Sequence, residues 1–234
     1  MKPENHPRRS QSGFTLVEML MSMGIMFSVF AMSIGFLIES GRINFVSAEK
    51  NDINREVRKI VTHMATEAKQ SNLFLIYKSA ALSDRDLSTD RIRPNESGDC
   101  LLLVYKTGYA EMIGLGVDPL HDPRPVSKLV LYYRSVTHVE GGQERGPVRR
   151  WVKDLSAHPE TDTDKIHNIE QMIPALSVLE SESAEVVELS EGLANGRLFY
   201  NFQNRTVMIN GKIIHGNQAK WVTDTYNFSI SPRG

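Results

Sequence analysis

The sequence predicts an α+β protein in which a long N-terminal helix, apolar in its first half and amphipathic in its second, packs on a mainly antiparallel β-sheet. Three observations carry the prediction. Residues 14–38 form an apolar run with a single charge, Glu18; the polar stretch behind it keeps apolar residues at helical spacing; and short strand-like segments follow from residue 73 onward.

The first element is a polar leader, residues 1–13, with Lys2, Arg8 and Arg9. The apolar run behind it, ~25 residues, is long enough as a helix to cross a bilayer core of ~30 Å with some tilt. By the positive-inside rule the leader's cations stay cytoplasmic, so the C-terminal bulk is expected outside the inner membrane. An ordinary secretory signal has a shorter apolar stretch and a small-x-small cleavage site after it, whereas this run exits into Ile38, Glu39, Ser40, Gly41 and Arg42. A plain signal anchor does not explain a carboxylate inside the membrane near its cytoplasmic end. An ionisable group there costs roughly 2.5 to 3.5 kcal/mol and calls for a partner.

Gly13, Phe14, Thr15, Leu16, Val17 and Glu18, followed by Met19 and Leu20, resemble the type IV prepilin cleavage and methylation motif. The resemblance covers roughly the first 40 to 70 residues and implies cleavage between Gly13 and Phe14 by a membrane-embedded prepilin peptidase, then N-methylation of Phe14. The residues suit that chemistry: Gly13 has no Cβ to obstruct a protease, and Phe14 starts an apolar helix at the membrane surface. The resemblance also gives Glu18 its partner, the positive N-terminus of a neighbouring subunit entering the filament, a pair strengthened by low dielectric. Implied partners are the prepilin peptidase, other pilin or pseudopilin subunits, the inner-membrane assembly platform and membrane lipid.

Beyond Ile38, Ile53, Val57, Ile60, Val61, Met64 and Ala68 recur along one helical stripe, and no proline occurs between Phe14 and Pro94. One helix to about Gln70 is predicted, its second part an amphipathic stalk that needs a sheet to cover it. Many pilins carry a helix-breaking proline late in the apolar run; this chain has Gly24, Gly35 and Gly41, which suit either local unwinding or close helix packing. Strand character follows at residues 73–77, 100–106, 109–113, 128–139, 148–152, 197–202, 206–209, 212–215 and 226–231. Asn210-Gly211 reads as a two-residue hairpin turn, residues 106–108 and 141–146 as further loops, and residues 164–179 as a short helix interrupted at Pro174. The expected organisation is a cleaved leader 1–13, a transmembrane helix 14–38, its amphipathic continuation 39–72 and a β-rich extracytoplasmic domain 73–234.

Composition narrows the function. The 234 residues carry 27 Lys plus Arg against 28 Asp plus Glu, a net charge of -1 that argues against a nucleic-acid surface. Cys100 is the single cysteine, so no intramolecular disulfide forms, and a buried structural thiol is expected. The seven histidines show no H-E-x-x-H spacing, His121 beside Asp122 sits among prolines in an expected loop, and Gly114 and Gly116 fit no phosphate-binding pattern. Glu180, Glu182, Glu185, Glu188 and Glu191 read as a solvated acidic face, and Arg145, Arg149 and Arg150 beside Trp151 as a strand edge with surface arginines. No catalytic residue, metal site or cofactor is expected.

The sequence therefore points to a non-enzymatic minor subunit of a type IV pilus or type II secretion pseudopilus, anchored in the bacterial inner membrane. By resemblance, abundant major subunits are shorter. Two other readings use the same export signal: a membrane-tethered binding module, including a DNA-uptake pseudopilin, and a signal-anchored enzyme with an unrelated ectodomain.

Overall fold

The computed structural model describes residues 15–83, 85, 88–107, 124–140, 143–186, 193–194, 197–217 and 220–231. The chain divides into two units, one ending at Ser47 and one running from Ala48. Helix α1, Leu16–Gln70, contributes to both.

In the first unit the described residues are helical from Leu16, and the side chains from Thr15 to Glu39 are all exposed. This stretch is long and apolar enough to cross a membrane.

The second unit begins with the amphipathic part of α1. Its buried face carries Ile53, Glu56, Ile60, Met64, Glu67 and Ala68, the spacing of one helical stripe. After two connecting residues the chain enters a sheet formed by β1 (Leu73–Tyr77), β3 (Cys100–Lys106), β4 (Val126–Arg134), β7 (Val148–Asp154) and β8 (Ala184–Glu185), all antiparallel and in the order β1-β3-β4-β7-β8. The strand predictions 73–77 and 100–106 coincide with β1 and β3. The apolar run of β3 is buried at every residue, so both faces of the sheet are covered.

Register shows what covers each face. Leu73, Leu75, Tyr77, Cys100, Leu102, Val104, Leu129, Leu131, Tyr133 and Trp151 point one way and pack with Ile166, Ile169, Met172, Ile173 and Leu179. Those last five come from α2 (Thr163–His167), the 3-10 turn Ile169–Met172 with Ile173, and α3 (Leu176–Glu182). The predicted short helix is thus three short helical pieces with a break at residues 173–175, around Pro174, whose missing N–H and ring suit a break. The alternate residues, among them Leu101, Leu103, Val130 and Tyr132, lie on the face that bonds Glu67 of α1.

A second sheet holds β2 (Ser97–Gly98), β5 (His138–Glu140), β6 (Gln143–Gly146), β9 (Leu193–Ala194), β10 (Phe199–Phe202), β11 (Thr206–Asn217) and β12 (Lys220–Ile230), in the order β2-β10-β11-β9-β6-β5 with β12 on the other side of β11. Three sequence expectations change here. Asn210-Gly211 makes no turn: β11 runs straight through both residues, paired in register with β12 from Val207↔Ile230 to Asn217↔Lys220. The tight turn between β10 and β11 falls instead at Gln203 and Asn204, which take φ of 52° and 57°. The predicted strand 128–139 is split at residues 135–137, and Gln143–Gly146, expected as loop, is a strand paired with β5. The predicted strand 109–113 lies outside the described residues.

Asp99 joins the two sheets. It sits between β2 and β3; one carboxylate oxygen accepts from Arg134 Nη2 at 2.7 Å and the other from the Leu198 N–H at 3.0 Å, while its carbonyl accepts from the Arg134 N–H at 3.2 Å. Gly98 is required beside it, because a Cβ there would run into the Tyr77 carbonyl oxygen.

Candidate functional site

The residues of the N-terminal motif that the structure describes begin at Thr15; Gly13 and Phe14 lie outside the described residues. Thr15 immediately precedes the helix and Glu18 is in its first turn. The Thr15 N–H and hydroxyl both donate to the Glu18 carboxylate at 3.3 Å, and the Glu18 N–H donates to Thr15 Oγ1 at 3.3 Å. This is a capping box, in which two orphan donors at a helix start are satisfied reciprocally. Its signal, Thr-x-x-Glu before an apolar run, is spelled out by Thr15 and Glu18 within the stretch whose resemblance implies cleavage and methylation. The acidic side chain also sits at the positive end of the helix dipole.

Farther along the same stretch, polar side chains are satisfied within the helix. Ser22, Ser28 and Ser33 donate to the carbonyls of Glu18, Gly24 and Val29 at 2.7, 2.9 and 2.8 Å, which removes three bare hydroxyls from an otherwise apolar surface. Apart from the adjoining residues and the helix's own backbone, no atom lies within 4 Å of where a Cβ would stand on Gly24, Gly35 or Gly41. Leu16, Phe27, Phe36 and Ile38 are among the side chains left more than two-thirds exposed, so this surface is built to meet an apolar surrounding.

In the second unit the charged residues are arranged for structure. Glu67, on the buried stripe of α1, accepts hydrogen bonds from Tyr132 and Arg150, lies 4.0 Å from Lys128 Nζ, and its backbone carbonyl accepts from Tyr105 at 2.8 Å. Burial alone would raise its pKa, but the bonds from Arg150 and Tyr132 and the charges of Arg150 and Lys128 outweigh it and hold the carboxyl below its ordinary value. On the opposite face of the sheet, buried Glu170 takes Arg91 as a bidentate partner and the Tyr77 hydroxyl at 3.1 Å; burial, then the Glu170 charge, pushes the Tyr77 phenol well up.

The arginine and glutamate clusters are partly one another's partners. Arg149 pairs with Glu185 at 2.9 Å, Trp151 donates its indole N–H to Glu182 at 3.0 Å, and Arg150 is held by Glu67. Arg145, expected at the surface, is buried on β6. Glu180, Glu182 and Glu185 are exposed, and each also bonds into the sheet region, Glu180 through Ser135 at 3.4 Å. Glu188, Glu191, Gly114, Gly116, His121 and Asp122 lie outside the described residues. Cys100 is buried on β3, and burial, with the nearby Asp99 charge, raises its thiol pKa, so it stays protonated and unreactive. Among the described residues no group of His, Cys, Asp and Glu is placed to hold a metal ion.

Residues 8–34 match the family model described as the prokaryotic N-terminal methylation motif. The match takes in residues 8–12, Gly13, Phe14, the capping box and most of the apolar helix. No curated protein and no solved structure matches the chain.

Proposed function

We propose that this chain, which carries the N-terminal methylation motif of the type IV pilin and pseudopilin family, is a non-enzymatic minor subunit of a type IV pilus or type II secretion pseudopilus. The observation that carries the proposal is the coincidence of that motif with an exposed, membrane-length apolar helix whose first turn presents Glu18. The motif points to a structural subunit, and the helix to a membrane anchor.

In this reading prepilin peptidase removes residues 1–13 on the cytoplasmic side, cutting between Gly13 and Phe14, and the new Phe14 amine is methylated. Residues 14–38 hold the subunit in the inner membrane, residues 39–72 continue the helix, and residues 73–234 stand outside the membrane. On entry into the filament Glu18 neutralises the amino terminus of a neighbouring subunit. The capping box supports that role by keeping the carboxylate at the helix start rather than free to swing along the helix. Recruitment runs through the inner-membrane assembly platform, and neighbouring subunits bury the apolar surface that lipid covered before.

Intact-mass measurement of the membrane-extracted protein tests the proposal. The expected product begins at methylated Phe14; retention of residues 1–13 in cells with active peptidase overturns it. In the same strain Glu18→Ala is expected to be cleaved normally and to be depleted from sheared filaments, whereas normal incorporation would remove the charge pair from the mechanism.

A further inference from the structure

We propose that the end of α1, residues 53–70, is a separable cover on the second unit, fastened by the Glu67 charge knot, and that the five-stranded sheet stays folded when the cover lifts. The two faces of the sheet are built differently. The face toward α2 and α3 closes a continuous apolar core that includes no residue of α1. The face toward α1 is met by a stripe in which two of the six buried residues are carboxylates, Glu56 and Glu67, beside Ile53, Ile60, Met64 and Ala68. A stripe of this kind gains less from leaving water than an all-apolar one of equal size.

What the stripe lacks in apolar area the knot supplies in directed bonds. Three strands converge on one helical turn: Tyr105 from β3 reaches the Glu67 carbonyl, Tyr132 and Lys128 from β4 and Arg150 from β7 reach its carboxylate. The ladder bonds of β3 and β4, by contrast, run to β1, to each other and to β7. Regions held by separate sets of contacts open as separate cooperative units. Neutralising Glu67 therefore loosens the helix and leaves the strands closed.

Hydrogen exchange on the full chain in detergent micelles, comparing the native protein with Glu67→Gln at one pH, tests this. The Gln side chain keeps the shape and loses the charge. Amides of residues 53–70 are expected to exchange about 10- to 100-fold faster, the scale of losing hydrogen bonds to a charged group, while those of residues 100–106 and 126–134 stay within about twofold, a margin below 1 kcal/mol. Unchanged exchange in residues 53–70 overturns the proposal by showing that the knot does not fasten the helix. Equal acceleration in the strands, which is also how a general loss of the fold would read, overturns it by showing that helix and sheet open together.

Discussion

Asp99 shows how much of this fold rests on single side chains at crossing points. Its carboxylate is the acceptor for a guanidinium from β4 and for a backbone N–H just ahead of β10, and the Arg134 side chain it pairs with is only 4% exposed. Removing one partner of a buried pair leaves the other desolvated, at a cost of about 3 kcal/mol or more. Asp99→Ala is therefore expected to lower the unfolding free energy of the second unit by about 3 kcal/mol in urea titration, and a loss below about 1 kcal/mol, the range of an exposed pair, would show that Glu144, whose carboxylate lies 3.4 Å from Arg134 Nη2, serves Arg134 alone. None of this was legible in the sequence, where Asp99 is one acidic residue after Ser97 and Gly98. Partners 35 and 99 residues away meet only once the sheets are assembled. Thr15 and Glu18, by contrast, are three residues apart, and a local pattern carries their contact in full.

At the scale of elements, the amphipathic end of α1 joins apolar packing to a titratable fastening. Glu67's pKa in the folded protein lies below the ordinary carboxylate value, so its contribution is fully present above that ordinary value and is lost as pH falls through the depressed one. The charged and titratable groups facing it are Lys128 and Tyr132 on β4, Arg150 on β7 and Tyr105 on β3; the phenols, with pKa values raised chiefly by burial, and the Arg150 guanidinium, whose pKa is raised by its bond to Glu67, keep their charge states across that acid range. Urea midpoints of the native protein are expected to fall more steeply with acidification than those of Glu67→Gln, the two curves converging at low pH. Parallel curves would mean that other carboxylates carry the acid loss. The stripe itself was readable from spacing, as were β1 and β3 from apolar runs bounded by polar residues, because both signals are local. Asn210-Gly211 makes no turn for the complementary reason: an Asn-Gly pair favours a hairpin only where neighbouring strands do not claim it, and pairing with β12 from Val207 to Asn217 wins over the local preference.

For the whole molecule, the decisive contrast is between a unit with a core and a unit with none. The large apolar side chains exposed among the described residues are concentrated in α1 from Leu16 to Ile43; outside the helix they are Val136, Val139, Val178 and Phe202, scattered along the chain. A surface of the first kind is compatible with lipid or with copies of itself and not with water, whereas isolated apolar residues of the second kind are ordinary on a soluble surface. The second unit, from Ala48, holds both sheets, the core beneath α2 and α3, and the buried stripe of α1. Nothing in that set of contacts requires the residues before it. A chain starting at Ala48 is therefore expected to remain in solution without detergent, to keep a cooperative thermal transition for its sheets and to keep the Glu67 acid dependence, while the full chain is extracted from membranes only by detergent. Aggregation of the shorter chain, or a broad transition without a baseline, would mean that the apolar half of the helix contributes to folding as well as to anchoring. The outcome separates a domain that is merely tethered from one that is completed by its tether.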